Sequence, residues 1–568
     1  MRLPRPAWLR DYRRDCLPGD VSAGLIVAVM LIPQSLAYAM LAGLPPQVGL
    51  YASIAPLLAY ALFGSSMTLS VGPVAVASLM TASALSPLAT PGSQEYIALA
   101  MQLALLSGLM LVLFGCLRLG MLAHFLSHPV TSGFISGSAV IITLGQLKPL
   151  LGLQFAAANT PALLAGLVSH ADAINPLAAN LGLATIALLV FSRALLPKLL
   201  VGWGLRADRA GLIARLMPML TVIFSTLLVA RFDWHLTQGI AVVGAVPAGL
   251  PSLWAVTPDL PTLAALWLPA LLIGVVGFVE SVSVGQSLAT QRKQRIDPDR
   301  ELFGLGAANI ASAACGGYAV AGGFSRSVVN FSAGAHTPLS GVISAVLMAL
   351  VLIFASSWFA HLPHCVLAAT IMVAVLSLFD LATLRKTLRY DRGDAIALLG
   401  TFFGVVLVGV ETGIVSGVIL SFAVLVWRSA HPHMAIVGRV PGSEHFRNVE
   451  RYSVETLPHV LAIRVDENLF FGNATAVERA LQSRLAAQPL AQHLLLIMSA
   501  VNRIDSTALE MLLSLEQRLA EQGIQLSMAE IKGPVMERLL PTALGKRLEG
   551  RIWLSAHEAF LSLAARAA

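Results

Sequence analysis

Apolar runs long enough to cross a hydrocarbon core of ~30 Å recur along the chain to about Trp427 and then stop. Lipid leaves no solvent for backbone N–H and C=O groups, so such runs must fold as helices that satisfy those groups internally. Charged residues are 12% of the 568, roughly half the share a soluble protein of this length carries. The fold class is therefore a polytopic α-helical membrane protein with a soluble tail. The net charge of +7 gathers beside apolar spans, which fits cytoplasmic loops and not nucleic-acid binding. Cys16, Cys116, Cys315 and Cys365 are isolated, without CxxC or His partners at metal spacing. They read as small core residues, and neither a metal nor a cofactor is expected. Arg2, Arg5, Arg10, Arg13 and Arg14 ahead of 21–42 mimic a signal peptide, but that run is long and leads into further spans. It is read as the first span.

About fourteen candidate crossings fall near 20–41, 48–64, 72–87, 96–117, 128–148, 177–195, 213–231, 262–286, 301–316, 324–334, 338–357, 361–380, 394–411 and 412–428. Lys and Arg collect at the N-terminus, in 193–215, 292–300 and 385–392, and from Arg428 onward, while 42–47, 88–95 and 149–176 hold almost none. An even count with a cytoplasmic N-terminus puts every basic segment on the cytoplasmic side, so both termini are expected there, in a cell inner membrane.

Two of these segments are interrupted. In 68–80, Gly72-Pro73 breaks an apolar run; 68–71 reads as extended chain and Pro73 onward as a helix starting within the membrane. In 318–330, the extended piece 319–321 and Gly322-Gly323 precede a helix expected to start at Phe324 or Ser325, with Arg326 in its first turn. A helix that begins in lipid leaves unpaired N–H groups and a positive dipole end, which an anion satisfies. Val74, Ala75, Phe324, Ser325 and Arg326 are thus candidate substrate-binding residues. Paired breaks in two halves point to a transporter's binding site. Matching the third segment to the tenth gives an offset of seven, hence a seven-plus-seven inverted repeat with half-helices at spans 3 and 10.

Pro33 should kink span 1 and put Gln34 and Tyr38, one turn apart, on one face, where an amide and a phenol can hydrogen-bond an oxyanion or serve as interhelical contacts. Glu280 in span 8 has apolar residues on both sides, and a carboxylate there is costly unless paired or protonated. It is the candidate proton-coupling residue, with Arg326 as its expected partner. Glu411, placed near the end of span 13, reads as a structural contact. His124, His128, His361 and His364 read as interfacial residues at span ends.

After about Pro441 the pattern changes to short strands (460–465, 493–498, 524–528) alternating with helices (475–485, 506–522, 534–540, 557–565), a small α/β domain. The expected division is a transport domain 1–430, a linker 431–444 and a cytoplasmic domain 445–568. Asp505 or Ser506 caps the helix after the second strand, Thr507 to Glu510 has capping-box spacing, and Ser506 is a candidate regulatory phosphosite. No P-loop or dinucleotide glycine motif is present, so energy from bound nucleotide is not indicated; the chain is not expected to be an enzyme.

The quoted segments resemble the SulP family of anion transporters, counterparts of the animal solute-carrier family 26, with a C-terminal STAS domain. The likeness rests on Pro33-Gln-Ser-Leu-Ala-Tyr-Ala, Leu44-Pro-Pro-Gln-Val-Gly-Leu-Tyr-Ala-Ser53, Ser70-Val-Gly-Pro-Val-Ala-Val76, Phe324-Ser-Arg-Ser327 and Asp505-Ser-Thr507. Phe278-Val-Glu-Ser-Val-Ser-Val-Gly-Gln-Ser-Leu-Ala is similar to the segment in proton-coupled sulfate transporters of that family. The resemblance implies core spans 1–4 and 8–11, gate spans 5–7 and 12–14, anion binding between the half-helices, and a homodimer working by elevator motion. The STAS domain resembles anti-sigma-factor antagonists, whose Asp-Ser serine is phosphorylated. Two departures stand out: Gly323 replaces a serine common in relatives, and Val284 replaces a hydroxyl of sodium-coupled bicarbonate members, which favours protons. The leading expectation is a secondary active transporter of a small inorganic oxyanion, sulfate by proton symport, in membrane lipid. The alternatives are a bicarbonate or C4-dicarboxylate transporter, a passive anion channel or motor, and an anion sensor with the STAS domain as output.

Overall fold

The computed structural model describes all residues except 1–5, 11, 122–126, 156–159, 246, 248, 252–259, 377–378, 380 and 566–568, and His124 lies among those left out. The chain forms two units, Met1–Ser421 and Phe422–Ala568.

Eight of the described helices are long and apolar enough to cross a membrane: Arg14–Leu41, Pro46–Phe63, Gln94–Cys116, His128–Leu151, Pro176–Ala194, Pro261–Gln291, His364–Tyr390 and Val410–Ala430, the last of which runs across the boundary of the two units. Each expected segment contains helix among its described residues. The second consists of two pieces, Pro46–Tyr51 and Ala55–Phe63. The third and tenth are the short helices Ala75–Leu85 and Phe324–Ser332, of 11 and 9 residues. At 1.5 Å per residue these rise only ~17 and ~14 Å. Pro73 does not open its helix as expected: Val74 is the N-cap and Ala75 the first helical residue. Glu411 lies in the first turn of Val410–Ala430, not at the end of the preceding helix Arg392–Leu407. Of the four cysteines only Cys365 is buried, while Cys116 is exposed.

Small residues set how the helices meet. A Cβ on Gly108 would lie 2.8 Å from the Gly306 carbonyl, and one on Gly306 would lie 2.9 Å from that of Gly108. Helices Gln94–Cys116 and Pro298–Ala314 therefore approach backbone to backbone. Pro298–Ala314 also packs on Ala55–Phe63, Leu260–Gln291 on Gln94–Cys116, and Leu339–Phe354 on Leu17–Leu41. Elsewhere His128–Gly145 packs on Arg392–Leu407, and Pro176–Ala194 packs on His364–Leu376 and Ala207–Arg231.

Two short strands, β1 (Val71–Gly72) and β2 (Ala321–Gly322), pair antiparallel with Val71 opposite Gly322 and Gly72 opposite Ala321. The two interruptions therefore meet. Each strand leads directly into one of the two short helices.

The second unit holds a six-stranded sheet in which the second strand in chain order lies at one edge beside the first, and the remaining four follow in chain order to the other edge. Its strands are β3 (Met434–Arg439), β4 (Phe446–Asn448), β5 (Val460–Val465), β6 (His493–Ile497), β7 (Gln525–Ala529) and β8 (Ile552–Trp553). β5 to β8 run parallel, and β3 is antiparallel to both β4 and β5. The expected linker 431–444 thus contains a strand of the sheet. β5 and β6 are buried on both faces, the signature of a sheet covered by helices on either side.

Candidate functional site

The helices after the two breaks begin without a side-chain cap: Val74 and Gly323 are extended N-caps that offer no side-chain acceptor. By contrast, Asn175 and Asp297 cap the helices that follow them. Free first-turn N–H groups on two helices whose leading strands are paired make a concentrated set of donors.

The breaks are tied to each other by side chains. The Ser70 amide donates to Ser327 Oγ (2.9 Å), the Gly323 amide to the Ser70 carbonyl (3.0 Å), and Asn330 Nδ2 to the Thr68 carbonyl (2.9 Å). Gly322 N–H reaches Ser281 Oγ (2.8 Å) on helix Leu260–Gln291, and Ser78 Oγ and Tyr318 Oη are 2.8 Å apart. A single neighbour, helix Pro298–Ala314, holds both breaks in register. Its Asn309 donates to the Val320 carbonyl (3.0 Å) and accepts from the Val320 amide (2.9 Å). Its Glu301, fully buried, accepts from Tyr60 Oη (2.7 Å), Ser65 N (2.8 Å), Ser65 Oγ (2.7 Å) and Ser66 N (2.9 Å). The far end of Phe324–Ser332 receives Arg292, which donates to the carbonyls of Phe331 and Ala335 and stacks on the Phe331 ring, a favourable match to the negative end of the dipole.

Arg326 is 2% exposed. Its Nη1 donates to the Pro73 carbonyl across the break (2.5 Å), while Nε and Nη2 have no hydrogen-bond partner. Arg326 makes no direct contact with Glu280, since its guanidinium bonds the Pro73 carbonyl instead, but the two charges lie close enough to interact electrostatically. A buried guanidinium with a single neutral acceptor is costly and marks a place for negative charge.

Beside it lies a cavity of about 470 Å³ whose lining includes Gln34, Tyr38, Phe324, Ser325, Val329 and Ile371. Gln34 and Tyr38 share one wall as the helical spacing requires, and Phe324 and Ser325, both exposed to this space, form part of another. Val74, Ala75 and Arg326 lie behind the lining, the first two at 6% and 5% exposure. Glu280 does not line this cavity: half-buried, it shares a small apolar pocket with Val130, Thr131, Phe134, Ile135 and Ile414.

Sequence reasoning gave no role to Ser281, Glu301, Asn309, Ser327 or Asn330. Glu301 carried no such signal: it follows Asp297, Asp299 and Arg300 in the first turn of its helix, where an acidic residue reads as an ordinary match to the helix dipole.

In the second unit Asp505 is the N-cap, accepting from Ala508 N (2.9 Å) and also from Phe471 N (2.8 Å). Ser506 is therefore the first helical residue, and Glu510 lies too far along for a capping box. Ser506 is exposed in a cavity of about 430 Å³ lined also by Asn502, Arg503, Pro534 and Arg538.

The sulfate permease family model matches residues 17–401, and a STAS domain model matches 451–559. The chain belongs to the sulfate permease family. Among its relatives, a probable sulfate transporter of Mycobacterium tuberculosis is 34% identical over 543 residues, covering 95% of this chain and 94% of that one. Sulfate transporter 1.3 of Arabidopsis thaliana is 34% identical over 550 residues, covering 94% and 82%. In fold, the family member resembles the murine solute carrier 26 member A9 anion transporter in its inward-facing state, with a TM-score of 0.87 at 20% identity over 98% of this chain and 93% of that one. It also resembles the transmembrane domain of the cyanobacterial bicarbonate transporter BicA, with a TM-score of 0.60 at 22% identity over 72% and 98%.

Proposed function

We propose that this chain is a secondary active transporter of a small inorganic oxyanion, with sulfate as substrate and protons as the coupling ion. One observation carries the reading: a buried guanidinium with two unpartnered nitrogens sits where two uncapped helix ends meet, next to a cavity bearing an amide, a phenol and a hydroxyl. A tetrahedral dianion matches several N–H donors plus a guanidinium better than a halide does. The names of the relatives point to the same substrate.

In this proposal Gln34, Tyr38, Phe324 and Ser325 contact the anion, the first turns at Val74–Ala75 and Phe324 supply N–H groups and dipole, and Arg326 supplies charge. Ala75–Leu85 and Phe324–Ser332 act as half-helices of a seven-plus-seven inverted repeat with fourteen crossings and both termini cytoplasmic. The core spans 1–4 and 8–11 move against gate spans 5–7 and 12–14 in an elevator cycle, within a homodimer in the inner membrane. Glu280 then faces the gate side, against helices His128–Gly145 and Val410–Ala430. A carboxylate in apolar surroundings resists that sliding, whereas the protonated acid does not. Proton uptake at Glu280 couples to movement while Arg326 holds the anion. In the STAS domain, Ser506 is a regulatory phosphosite with Arg503 and Arg538 at hand.

The test is labelled sulfate uptake into proteoliposomes with and without an inward proton gradient, with bicarbonate and fumarate as competitors. Gradient-accelerated uptake that resists both competitors is expected, and Glu280→Gln should bind sulfate but lose the acceleration. Preferential inhibition by bicarbonate or fumarate would reassign the substrate. Acceleration undiminished in Glu280→Gln would remove that residue from the coupling.

A further inference from the structure

Gly323 has an ordinary extended backbone, φ −83° and ψ 121°, which any residue adopts. Conformation therefore does not require glycine here. Space does: a Cβ on residue 323 would lie 2.9 Å from Arg326 Nη2, 3.0 Å from Cζ and 3.1 Å from Nε. Three near-equal distances place that added carbon over the plane of the guanidinium, not off its edge. Gly72, on the opposing strand, is next to the same group, its Cβ position 3.4 Å from Nη2. The guanidinium thus lies flat against Gly323, pinned by Nη1 to the Pro73 carbonyl. The nitrogens left without partners, Nε and Nη2, are the two that form one side edge of the fork. That edge is the one that makes parallel N–H···O bonds to an oxyanion, which neither a lysine nor a spherical anion can reproduce.

We infer that Gly323 is a specificity-determining position: its missing side chain seats the Arg326 guanidinium so that the Nε–Nη2 edge is preset for two-point capture of an oxyanion in preference to a halide. The inference rests on the anion-site reading above and adds to it the origin of selectivity. An alanine or serine at 323 must push the guanidinium off its seat and away from Pro73. A serine there would supply the hydroxyl cap this helix lacks, so the glycine gives up a favourable cap for that room.

The experiment measures sulfate and chloride affinities of the purified full chain, by direct sulfate binding and by chloride competition. The variants are Gly323→Ala, Gly323→Ser, Arg326→Lys and Arg326→Gln, with monodispersity and melting temperature recorded for each. Gly323→Ala and Gly323→Ser should weaken sulfate about tenfold while moving chloride by less than about threefold. Arg326→Lys makes no steric demand and keeps the charge, so it should lower the same ratio and serves even where a residue-323 variant folds poorly. Adding Gly323→Ala to Arg326→Gln should change sulfate affinity no further. Sulfate binding that falls in Arg326→Gln but is unchanged in Gly323→Ala, or a ratio retained in Arg326→Lys, overturns the inference alone. Wild-type sulfate affinity in Arg326→Gln overturns the anion-site reading beneath it.

Discussion

Arg326 and Asp466 show two ways this chain handles charge that is removed from water. A guanidinium stays protonated at physiological pH, so Arg326, buried with one carbonyl, relies on what enters beside it. Sequence inspection found this residue because arginine in the first turn of an interrupted span is rare, but it did not find its hydrogen-bond partner. The choice between Glu280 and the Pro73 carbonyl depends on which way a long side chain folds, and no spacing rule encodes that. In the second unit, partial burial alone would raise the Asp466 carboxyl, but hydrogen bonds from Arg464 (Nε to Oδ1, 2.5 Å) and His433 (Nδ1 to Oδ2, 2.7 Å) outweigh it and hold the group below the usual range. A depressed carboxyl adds stability that is present above its unfolded value of about 3.9 and is lost as pH falls through the lower folded value. Hydrogen exchange of β5 in the full chain should therefore speed up as pH drops below about 4, after correction for intrinsic rates, and Asp466→Asn should flatten that dependence. An identical acid profile in Asp466→Asn would show that the cluster carries no linkage.

At the scale of elements, helix Pro298–Ala314 works as a jig: Glu301 fixes the chain entering the first break and Asn309 fixes the second. Truncating Glu301 to alanine strands two fully buried donors, Tyr60 Oη and the Ser66 amide, and leaves the Ser65 donors to water or to the Asp297 carbonyl, at about 1–3 kcal/mol for each that stays unsatisfied. Glu301→Ala should lower the melting temperature by several degrees and weaken sulfate binding as well, since β1 loses its anchor. Glu301→Gln should lose less. A melting curve for Glu301→Ala matching wild type would show that the loop re-forms without the carboxylate. Both breaks were legible because Gly-Pro and Gly-Gly each weaken a helix in mid-run, where the flanking apolar residues would otherwise carry it on. The pairing of β1 with β2 was not, since two-residue strands carry no periodicity and their partners lie ~250 residues apart. β3 escaped for a different reason. It follows the last long apolar helix after only three residues, and its six residues show no alternation of apolar and polar side chains to set them apart from connecting chain.

For the whole molecule, helix length and composition alone recognise eight spans, while breaks and charge placement argue for about fourteen. The difference falls on short or divided helices such as Ala75–Leu85 and Leu339–Phe354, which a length rule passes over. If the fourteen-span count holds, accessibility labelling in intact cells should find 88–95 outside and 292–300 inside; the reverse, or both on one side, would refute the topology. If the chain is a homodimer, cross-linking in native membranes should trap a species of twice the monomer mass; monomer alone would argue against it. The central claim is that the anion sits between the two short helices, and sulfate protection of a thiol placed there tests it most directly. With the four native cysteines replaced, Ser325→Cys would be treated with a small thiol reagent across a sulfate titration. Sulfate is expected to slow modification over the same concentration range that saturates uptake. Modification unaffected by sulfate in a variant that still transports it would place the binding site elsewhere.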